Sequence, residues 1–119
     1  MADSRPIYQR IADELRNQIS SGMLAEGDRA PSTNELSAFY SVNPTTSGKA
    51  LTTLVAEELL EKRRGLGMFV VAGARDRVLE QRRAEFGAQF IVPMLTEARA
   101  LGMTDSDVDA LIAAERSTQ

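Results

Sequence analysis

Apolar residues recur at helical spacing near the start of the chain. In residues 6–21 they fall on one face of a helix: Tyr8, Ile11, Ala12, Leu15 and Ile19. Pro6 suits the first position of this helix because its missing amide proton has no partner there, and Gly22 suits the end of the helix. The pattern therefore predicts an amphipathic helix over residues 6–21.

The segment GMLAEGDRAPS connects this helix to a second, shorter one. Its Gly27-Asp28 pair predicts a turn, and Arg29-Ala30 predicts a short extended piece ahead of a proline. The next residues, STNELSAFY, begin with a serine that is followed three residues later by a glutamate, which is the pattern of a capping box. They predict a helix over residues 32–40 with three side chains turned inward: Leu36, Phe39 and Tyr40.

A third helix is predicted where VNPTTSGKAL runs into TTLVAEELL. Asn43 is a good N-cap and Pro44 then takes the first helical position, so residues 44–59 are expected to be helical. At 100° per residue, one arc of this helix would face the core: Ser47, Ala50, Leu51, Leu54 and Val55. The opposite arc is polar: Thr45, Thr46, Gly48, Lys49, Thr52 and Thr53.

The polar arc of this third helix consists of residues that disfavour helices. A surface helix normally carries Glu, Lys, Gln and Arg, whereas this arc has four threonines, one glycine and one lysine. Gly48 alone costs about 1 kcal/mol relative to alanine in a helix interior. A surface of short hydroxyl side chains with one cation suits close approach to another polymer.

The sequence LLEKRRGLGMFVV predicts a β-hairpin with strands over residues 60–64 and 68–71 and a tip at residues 65–67. Arg63 and Arg64 point in opposite directions on a strand, and Arg64 is the one nearer the tip. Three helices followed by such a hairpin make a winged helix-turn-helix. The predicted fold is therefore mainly α with a small β-hairpin, with the winged domain over residues 1–72.

The remainder, residues 73–119, is predicted to be helical. A helix is expected over residues 75–101, kinked near Gln89 or Phe90 because Pro93 interrupts it. Gly102 would end it, and TDSD at residues 104–107 would cap a last helix. Two such helices cannot bury their apolar residues alone, so dimerisation with a second copy is expected. The expected contacts are Phe86, Phe90, Ile91, Met94, Leu95, Leu111 and Ile112, and a ligand pocket is the alternative use of this stripe.

Composition narrows the class of function. The 119 residues are 43% apolar, enough for one small domain with an appendage, and contain no cysteine and no histidine. The usual metal ligands and the commonest general base are therefore missing, so an enzyme, a metal site or a cofactor is not expected, although carboxylates alone can catalyse. There is no apolar run of about 20 residues and no signal-peptide core, so a cytoplasmic, nucleoid-associated protein is expected.

Net charge does not mark the chain as a nucleic-acid binder. Lysine and arginine number 14 against 17 acidic residues, which gives a net charge of −3. The densest cationic run is KRR at residues 62–64, at the predicted hairpin. Phosphate contacts require a basic surface rather than a basic protein, so the balance does not exclude DNA.

Four motifs together resemble the GntR family of bacterial transcription regulators: PIYQRIADELRNQISSGML, EGDRAPSTNELS, VNPTTSGKAL and LLEKRRGLGMFV. They stand in the family's order and spacing and cover residues 6–71. The tail, with its proline-broken helix and ALGMTDSDVDALIAA, is similar to the short YtrA-type subfamily, whose two C-terminal helices serve dimerisation.

The resemblance implies a homodimer that binds double-stranded DNA at a roughly palindromic operator. Repression by occlusion of a promoter is the simpler action for so small a protein and is expected over activation, which the sequence leaves open. Each third helix would enter a major groove and each hairpin tip would reach the neighbouring minor groove. The positions that match the family's DNA contacts are Ser32, Thr33, Asn34, Asn43, Thr45, Thr46, Gly48, Lys49, Arg64, Gly65 and Gly67. A small-molecule effector, where one acts, would bind at the dimer interface, because there is no room for a large sensor domain.

Three positions depart from the family pattern. Asn34 replaces the usual arginine, Gly48 stands where arginine or serine is common, and Glu26 replaces a proline. The first two remove cations or side chains from the expected DNA surface. They leave open an alternative function, a winged-helix module that binds proteins and not DNA.

Overall fold

The computed structural model describes residues 4–119 as mainly helical with a two-stranded antiparallel hairpin. The elements in chain order are α1 (Ile7–Ser21), α2 (Thr33–Tyr40), α3 (Pro44–Ala56), β1 (Leu60–Arg63), β2 (Gly67–Val70), α4 (Ala74–Phe86), a π-helical turn (Gly87–Ile91), α5 (Val92–Ala100) and α6 (Asp105–Thr118). The predicted fold class is confirmed. Within residues 4–119, no helix is both long enough and apolar enough to cross a bilayer.

The chain forms two compact units, a first that ends at Gln81 and a second over Arg82–Gln119. Helix α4 contains the boundary between them. The sequence predicts a functional boundary after residue 72, between the winged domain and the dimerisation segment. That boundary differs from the one between the compact units and stays a prediction.

The first unit is built around one apolar core. Helices α1 and α2 both pack against α3, and α3 packs against β1. The buried core takes residues from every one of these elements and from the first turns of α4: Ile11, Leu15, Ile19, Leu36, Ala50, Leu51, Leu54, Leu60, Val70, Ala74 and Val78. Of the apolar stripe predicted for α1, Ile11, Ala12, Leu15 and Ile19 are buried, and Tyr8 is half-buried against this core.

An ion pair fixes α1 against α3 at the edge of this core. The Arg16 guanidinium donates to both carboxylate oxygens of Glu57, at 2.9 Å and 2.6 Å. The hydrogen bond to Glu57 raises the pKa of Arg16 against the opposing effect of its partial burial. A bidentate pair of this kind fixes orientation as well as distance, so it sets how α3 lies on the unit.

The start of α3 follows the sequence prediction. The Asn43 side chain accepts a hydrogen bond from the Thr46 amide at 3.0 Å, and Pro44 occupies the first helical position. Ser47, predicted to face inward, is fully buried and shares a 2.8 Å hydrogen bond with the hydroxyl of Ser37 on α2. That bond satisfies a polar group at the contact between α2 and α3.

The hairpin pairs Leu60 with Val70 and Arg63 with Gly67. A third extended piece lies beside it, because the Ala30 amide donates to the Met68 carbonyl at 2.8 Å and Arg29 forms a bridge with Phe69. The extended piece predicted at Arg29-Ala30 is thus confirmed. Its pairing with β2 was not predicted.

The structure corrects several details of the predictions. Phe39 does not face inward, since 80% of it is exposed and its ring contacts only the edge of Tyr40; Leu36 is the residue that turns to the core from this short helix. Helix α3 ends at Ala56 and not at residue 59, because Glu58 takes a left-handed conformation with φ 62°. Pro6 precedes α1 as its N-cap, and each strand is placed one residue earlier at one or both ends.

The second unit contains the interrupted helix that the sequence predicts. The π-helical turn ends at Ile91, two residues before Pro93, and the Val92 amide donates to the carbonyl of Gly87, five residues back. A wider turn of this kind accommodates a proline that cannot donate. Gly102, with φ 71°, follows the end of α5, and Thr104 and Asp107 form a reciprocal capping box at the start of α6.

The apolar residues of the second unit are mostly exposed. Among the residues of this unit that the structure describes, Ala98 and Val108 are the only apolar residues that are buried. An open apolar groove of about 240 Å³ lies between α5 and α6. Its lining includes Met94, Ala98, Leu101, Val108, Leu111 and Ile112.

Candidate nucleic-acid interface

Helix α3 presents its polar arc on the surface of the first unit. Thr45 and Lys49 are exposed, and Thr46 and Gly48 are half-buried. These are the four α3 residues that we predicted to contact DNA. They occupy the first two turns of the helix, which is the part of a recognition helix that contacts base edges in helix-turn-helix proteins.

The threonine hydroxyls on this arc are largely bonded within their own helix. Thr52 and Thr53 donate to the carbonyls of Gly48 and Lys49, each at 2.8 Å, and Thr46 donates to the Asn43 side chain at 3.2 Å. Among residues 4–119, the Thr45 hydroxyl makes no hydrogen bond. The arc therefore presents methyl groups and one free hydroxyl, a mixture that suits thymine methyl groups and phosphate oxygens.

No contact and no backbone conformation in the described part of the chain requires glycine at position 48. A Cβ added there would meet nothing within 4 Å, and the backbone is not left-handed as it is at Gly65. Alanine would favour the helix by about 1 kcal/mol. The absence of a side chain at this position therefore points to something that approaches the helix from outside.

Lys49 rests against α1 through a cation–π contact. Its Nζ lies 4.1 Å from the centre of the Tyr8 ring. The sequence places Tyr8 only on the apolar face of α1. The contact with Lys49 shows that Tyr8 also borders the polar arc. The side chain of Lys49 is flexible, and the contact leaves it at the surface where a phosphate can draw it away.

The start of α2 brings three further predicted residues to the surface. Ser32 caps the helix and is bonded to Glu35 in both directions, at 3.1 Å each. The hydrogen bonds from Ser32, first that from its backbone amide, lower the pKa of Glu35, and the charge of Arg29 adds to the effect. Thr33 and Asn34 lie in the first helical turn, with Asn34 exposed.

The wing tip is a tight turn closed by a 2.9 Å hydrogen bond from the Leu66 amide to the Arg63 carbonyl. Gly65 and Gly67 have φ of 78° and 115°, which side chains rarely adopt, so the turn requires glycine at both positions. Leu66 between them is exposed.

The two wing arginines differ in what they contact. Arg63 stacks on the Phe69 ring at 4.2 Å and pairs with Glu61 at 3.0 Å. Arg64 is exposed and has no ion pair or hydrogen bond within residues 4–119. The geometry therefore favours Arg64 as the cation available to a partner.

Arg29 belongs to this surface although the sequence interpretation did not include it. It lies beside Gly67 of the wing, and its Nη1 is 3.8 Å from Glu35 at the start of α2. It therefore joins two of the three segments with predicted contacts. The motif EGDRAPS contained the cation, but only the pairing of this connector with β2 places it between them.

The predicted dimer residues lie on the second unit. Phe86 and Phe90 are exposed with ring centres 5.6 Å apart, and Leu111 is exposed. The remaining four are half-buried: Ile91, Met94, Leu95 and Ile112. Met94, Leu111 and Ile112 line the apolar groove.

Comparisons with known proteins agree with this architecture. Residues 7–70 match the family described as bacterial regulatory proteins, gntR family. The HTH-type transcriptional repressor YtrA of Bacillus subtilis is 32% identical over 77 residues, which are 65% of this chain and 59% of that repressor. The chain thus spans less than two thirds of the length of that relative.

Two solved structures extend the comparison. A GntR family transcriptional regulator from Listeria monocytogenes is 28% identical with a TM-score of 0.72, over 96% of this chain and 98% of that one. The AraR DNA-binding domain in complex with operator ORR3 is 30% identical with a TM-score of 0.56, over 60% of this chain and 86% of that one.

Proposed function

Because the chain belongs to the GntR family of bacterial regulatory proteins, we propose that it is a sequence-specific DNA-binding regulator that represses transcription as a homodimer on a palindromic operator. The observation that carries this proposal is the polar arc of α3. Its residues weaken the helix, and Gly48 has open space where a side chain would be. A surface formed at a cost to helix stability indicates a partner that comes close to the backbone.

The charges near the arc support a DNA partner. Lys49 and Arg64 are exposed cations without carboxylate partners within residues 4–119, one on α3 and one at the wing. The net charge of −3 then has little bearing, because α3 contains no acidic residue and Glu57, which follows its last turn, is paired with Arg16. The local surface, and not the whole chain, sets the attraction to phosphate.

The second unit supports the dimer. The exposed Leu101 and Leu111 line a groove whose surface is almost wholly apolar, and such surfaces in soluble proteins mark sites of association. A second copy docked there would give the protein two recognition helices, so that half-site spacing adds to specificity. A small effector, where one acts, would bind in this groove and change the separation of the two helices.

Binding of a duplex that the wild-type protein selects from random sequences tests the proposal. We expect fluorescence anisotropy to show binding that weakens as salt rises, with a log–log slope of about −0.9 per phosphate neutralised, and preference over an unrelated duplex of equal length. Lys49→Ala should lower affinity, whereas Arg75→Gln should not. Arg75 is the matched control because it donates to Ser20 at the end of α1, about 18 Å along that helix from Tyr8.

Two outcomes would contradict the proposal. Selection that enriches no sequence, together with no binding at low salt, would indicate the protein-interaction module as the function. Equal losses in Lys49→Ala and Arg75→Gln would show attraction by overall charge and not through the α3 arc.

A further inference from the structure

The backbone of Arg29 is held firmly beside the wing. Its neighbours pair with β2 in both directions: Val70 donates to Asp28 at 2.9 Å, and Ala30 donates to Met68 at 2.8 Å. Arg29 itself forms a bridge with Phe69. The side chain therefore starts from a fixed point between the connector and the hairpin.

The Arg29 side chain runs across Gly67. Its Nε lies 3.0 Å from the position that a Cβ on residue 67 would take, which is tighter than nine in ten real Cβ contacts. A side chain at this position would shift the arginine by a few tenths of an ångström. Gly67 therefore has a second role besides its left-handed turn, which is to leave the path of Arg29 open.

The guanidinium of Arg29 is available to a ligand. Its side chain is 54% exposed, and its ion pair with Glu35 spans 3.8 Å between two exposed groups, too far for a hydrogen bond. A pair of this kind contributes little, and Glu35 already accepts a hydrogen bond from Ser32. Within residues 4–119 the guanidinium donates no hydrogen bond, so all five of its N–H donors are open.

We propose that Arg29 binds a phosphate of duplex DNA between the groove entered by α3 and the groove entered by the wing. The inference rests on the proposed DNA-binding function and adds a contact to it. A guanidinium can donate two parallel hydrogen bonds to one phosphate, which a lysine cannot. Arg29 thereby supplies a cation near the first turn of α2, the helix in which Asn34 replaces the arginine that the family resemblance implies.

Salt dependence of binding to the selected duplex tests this role. Arg29→Gln should reduce the magnitude of the slope by about 0.9 for each copy bound and lower affinity roughly tenfold at low salt. Arg29→Lys should keep the slope and recover only part of the affinity, because it retains charge and loses the bidentate geometry. Arg75→Gln, the control of equal charge, should match the wild type in both.

Glu35→Gln provides a second readout that a merely structural role would not change. Glutamine still serves in the capping box, so the helix start is preserved. If Arg29 leaves Glu35 to reach the phosphate, the gain in DNA affinity from Glu35→Gln should be several-fold larger with Arg29 present than in Arg29→Gln. Equal gains in the two backgrounds would overturn that coupling and count against the proposal.

The outcomes separate this inference from the function on which it rests. A wild-type protein that binds with salt dependence, together with an Arg29→Gln slope equal to that of the wild type, would overturn the role of Arg29 and leave the regulator intact. A wild-type protein that binds no duplex would overturn both. Thermal unfolding midpoints within about 2 °C of the wild type would show that each variant is folded, as expected for exposed side chains.

Discussion

In the first unit, Ile11, Ile19 and Leu54 are buried almost completely, whereas in the second unit Phe90 and Leu111 leave 61% and 59% of their surface exposed. Both units are helical and both begin helices with well-formed caps. They differ in whether their apolar residues have anything to pack against. The first unit encloses its own core, and the second presents its apolar residues outward.

The difference shows that local structure and packing are separate requirements. A capping box and a π-helical turn are enough to shape α5 and α6, but the side chains at their surface still need cover. The first unit has that cover within one chain and carries the candidate interface on its surface. The exposed apolar side chains of the second unit support the proposal that another copy of the chain covers them.

Unfolding of the first unit can be followed separately by tyrosine fluorescence. The chain has two tyrosines, Tyr8 and Tyr40, and no tryptophan. Both tyrosines lie in the first unit, so tyrosine fluorescence reports its unfolding alone. Circular dichroism in the far ultraviolet reports both units together.

The largest expected effect is on the first unit. Leu54→Ala removes a fully buried side chain from the last turn of α3 and should lower the free energy of unfolding by about 2–5 kcal/mol, through lost burial and the cavity left behind. Urea denaturation followed by tyrosine fluorescence measures it. Thr52→Ala, exposed on the same helix, is the control, and a loss below 1 kcal/mol in Leu54→Ala would contradict the core as described.

The next effect is on self-association. Leu111→Glu places a charge in the apolar groove and should weaken dimerisation by about 3 kcal/mol, or more than 100-fold, while the tyrosine-detected stability stays unchanged. Sedimentation equilibrium measures the association. Ala113→Glu adds the same charge about 200° around α6 and should have little effect. Equal molecular masses for wild type and both variants would show that the groove is not the interface.

The N-caps of α2 and α6 allow the same kind of substitution to be compared in the two units. Ser32→Ala and Thr104→Ala each remove the side chain that accepts from the third residue of its helix, and each should cost about 1 kcal/mol. Only Ser32→Ala should change the tyrosine-detected transition. Thr104→Ala should instead change the far-ultraviolet signal and the association constant. An equal change of both variants in the tyrosine signal would mean that the two units unfold as one.

Acid should remove a small part of the stability of the first unit. The folded pKa of Glu35 is lowered, chiefly by the hydrogen bonds of Ser32, so its contribution is complete above the unfolded pKa and disappears as pH falls through the folded one. Urea denaturation of wild type and Glu35→Gln should differ at pH 7, and the difference should begin to shrink near the ordinary glutamate pKa of about 4.3 and vanish below the lowered folded pKa. A difference that persists unchanged at acid pH would rule out the carboxylate as its source.

Much of the fold could be predicted because its signals are local. The Asn43-Pro44 start of α3, the capping boxes at Ser32 and Thr104 and the break before Pro93 each depend on a few neighbouring residues. Phe39 was assigned inward wrongly because only tertiary packing decides which side of a short helix is covered. The early end of α3 depends on Glu58 in a conformation that favours glycine, which no local pattern indicated.

The candidate interface likewise has features that local sequence signals predict and features that depend on tertiary packing. The positions on α3 and at the wing follow from motif and periodicity, so they could be named from the sequence. Two of their surroundings could not: Lys49 against Tyr8, and Arg29 between Gly67 and Glu35. Both depend on segments far apart in the chain that only the folded core brings together.

The central claim is that the polar arc of α3 is shaped for DNA at a cost to the helix, and Gly48→Ala tests it most directly. Unfolding by urea and affinity for the selected duplex should be measured on the same preparation. The account predicts that stability rises by about 1 kcal/mol while affinity falls roughly tenfold, because the new methyl group occupies the space open to DNA. A rise in stability with unchanged or tighter binding would contradict it and make this face an ordinary helix surface.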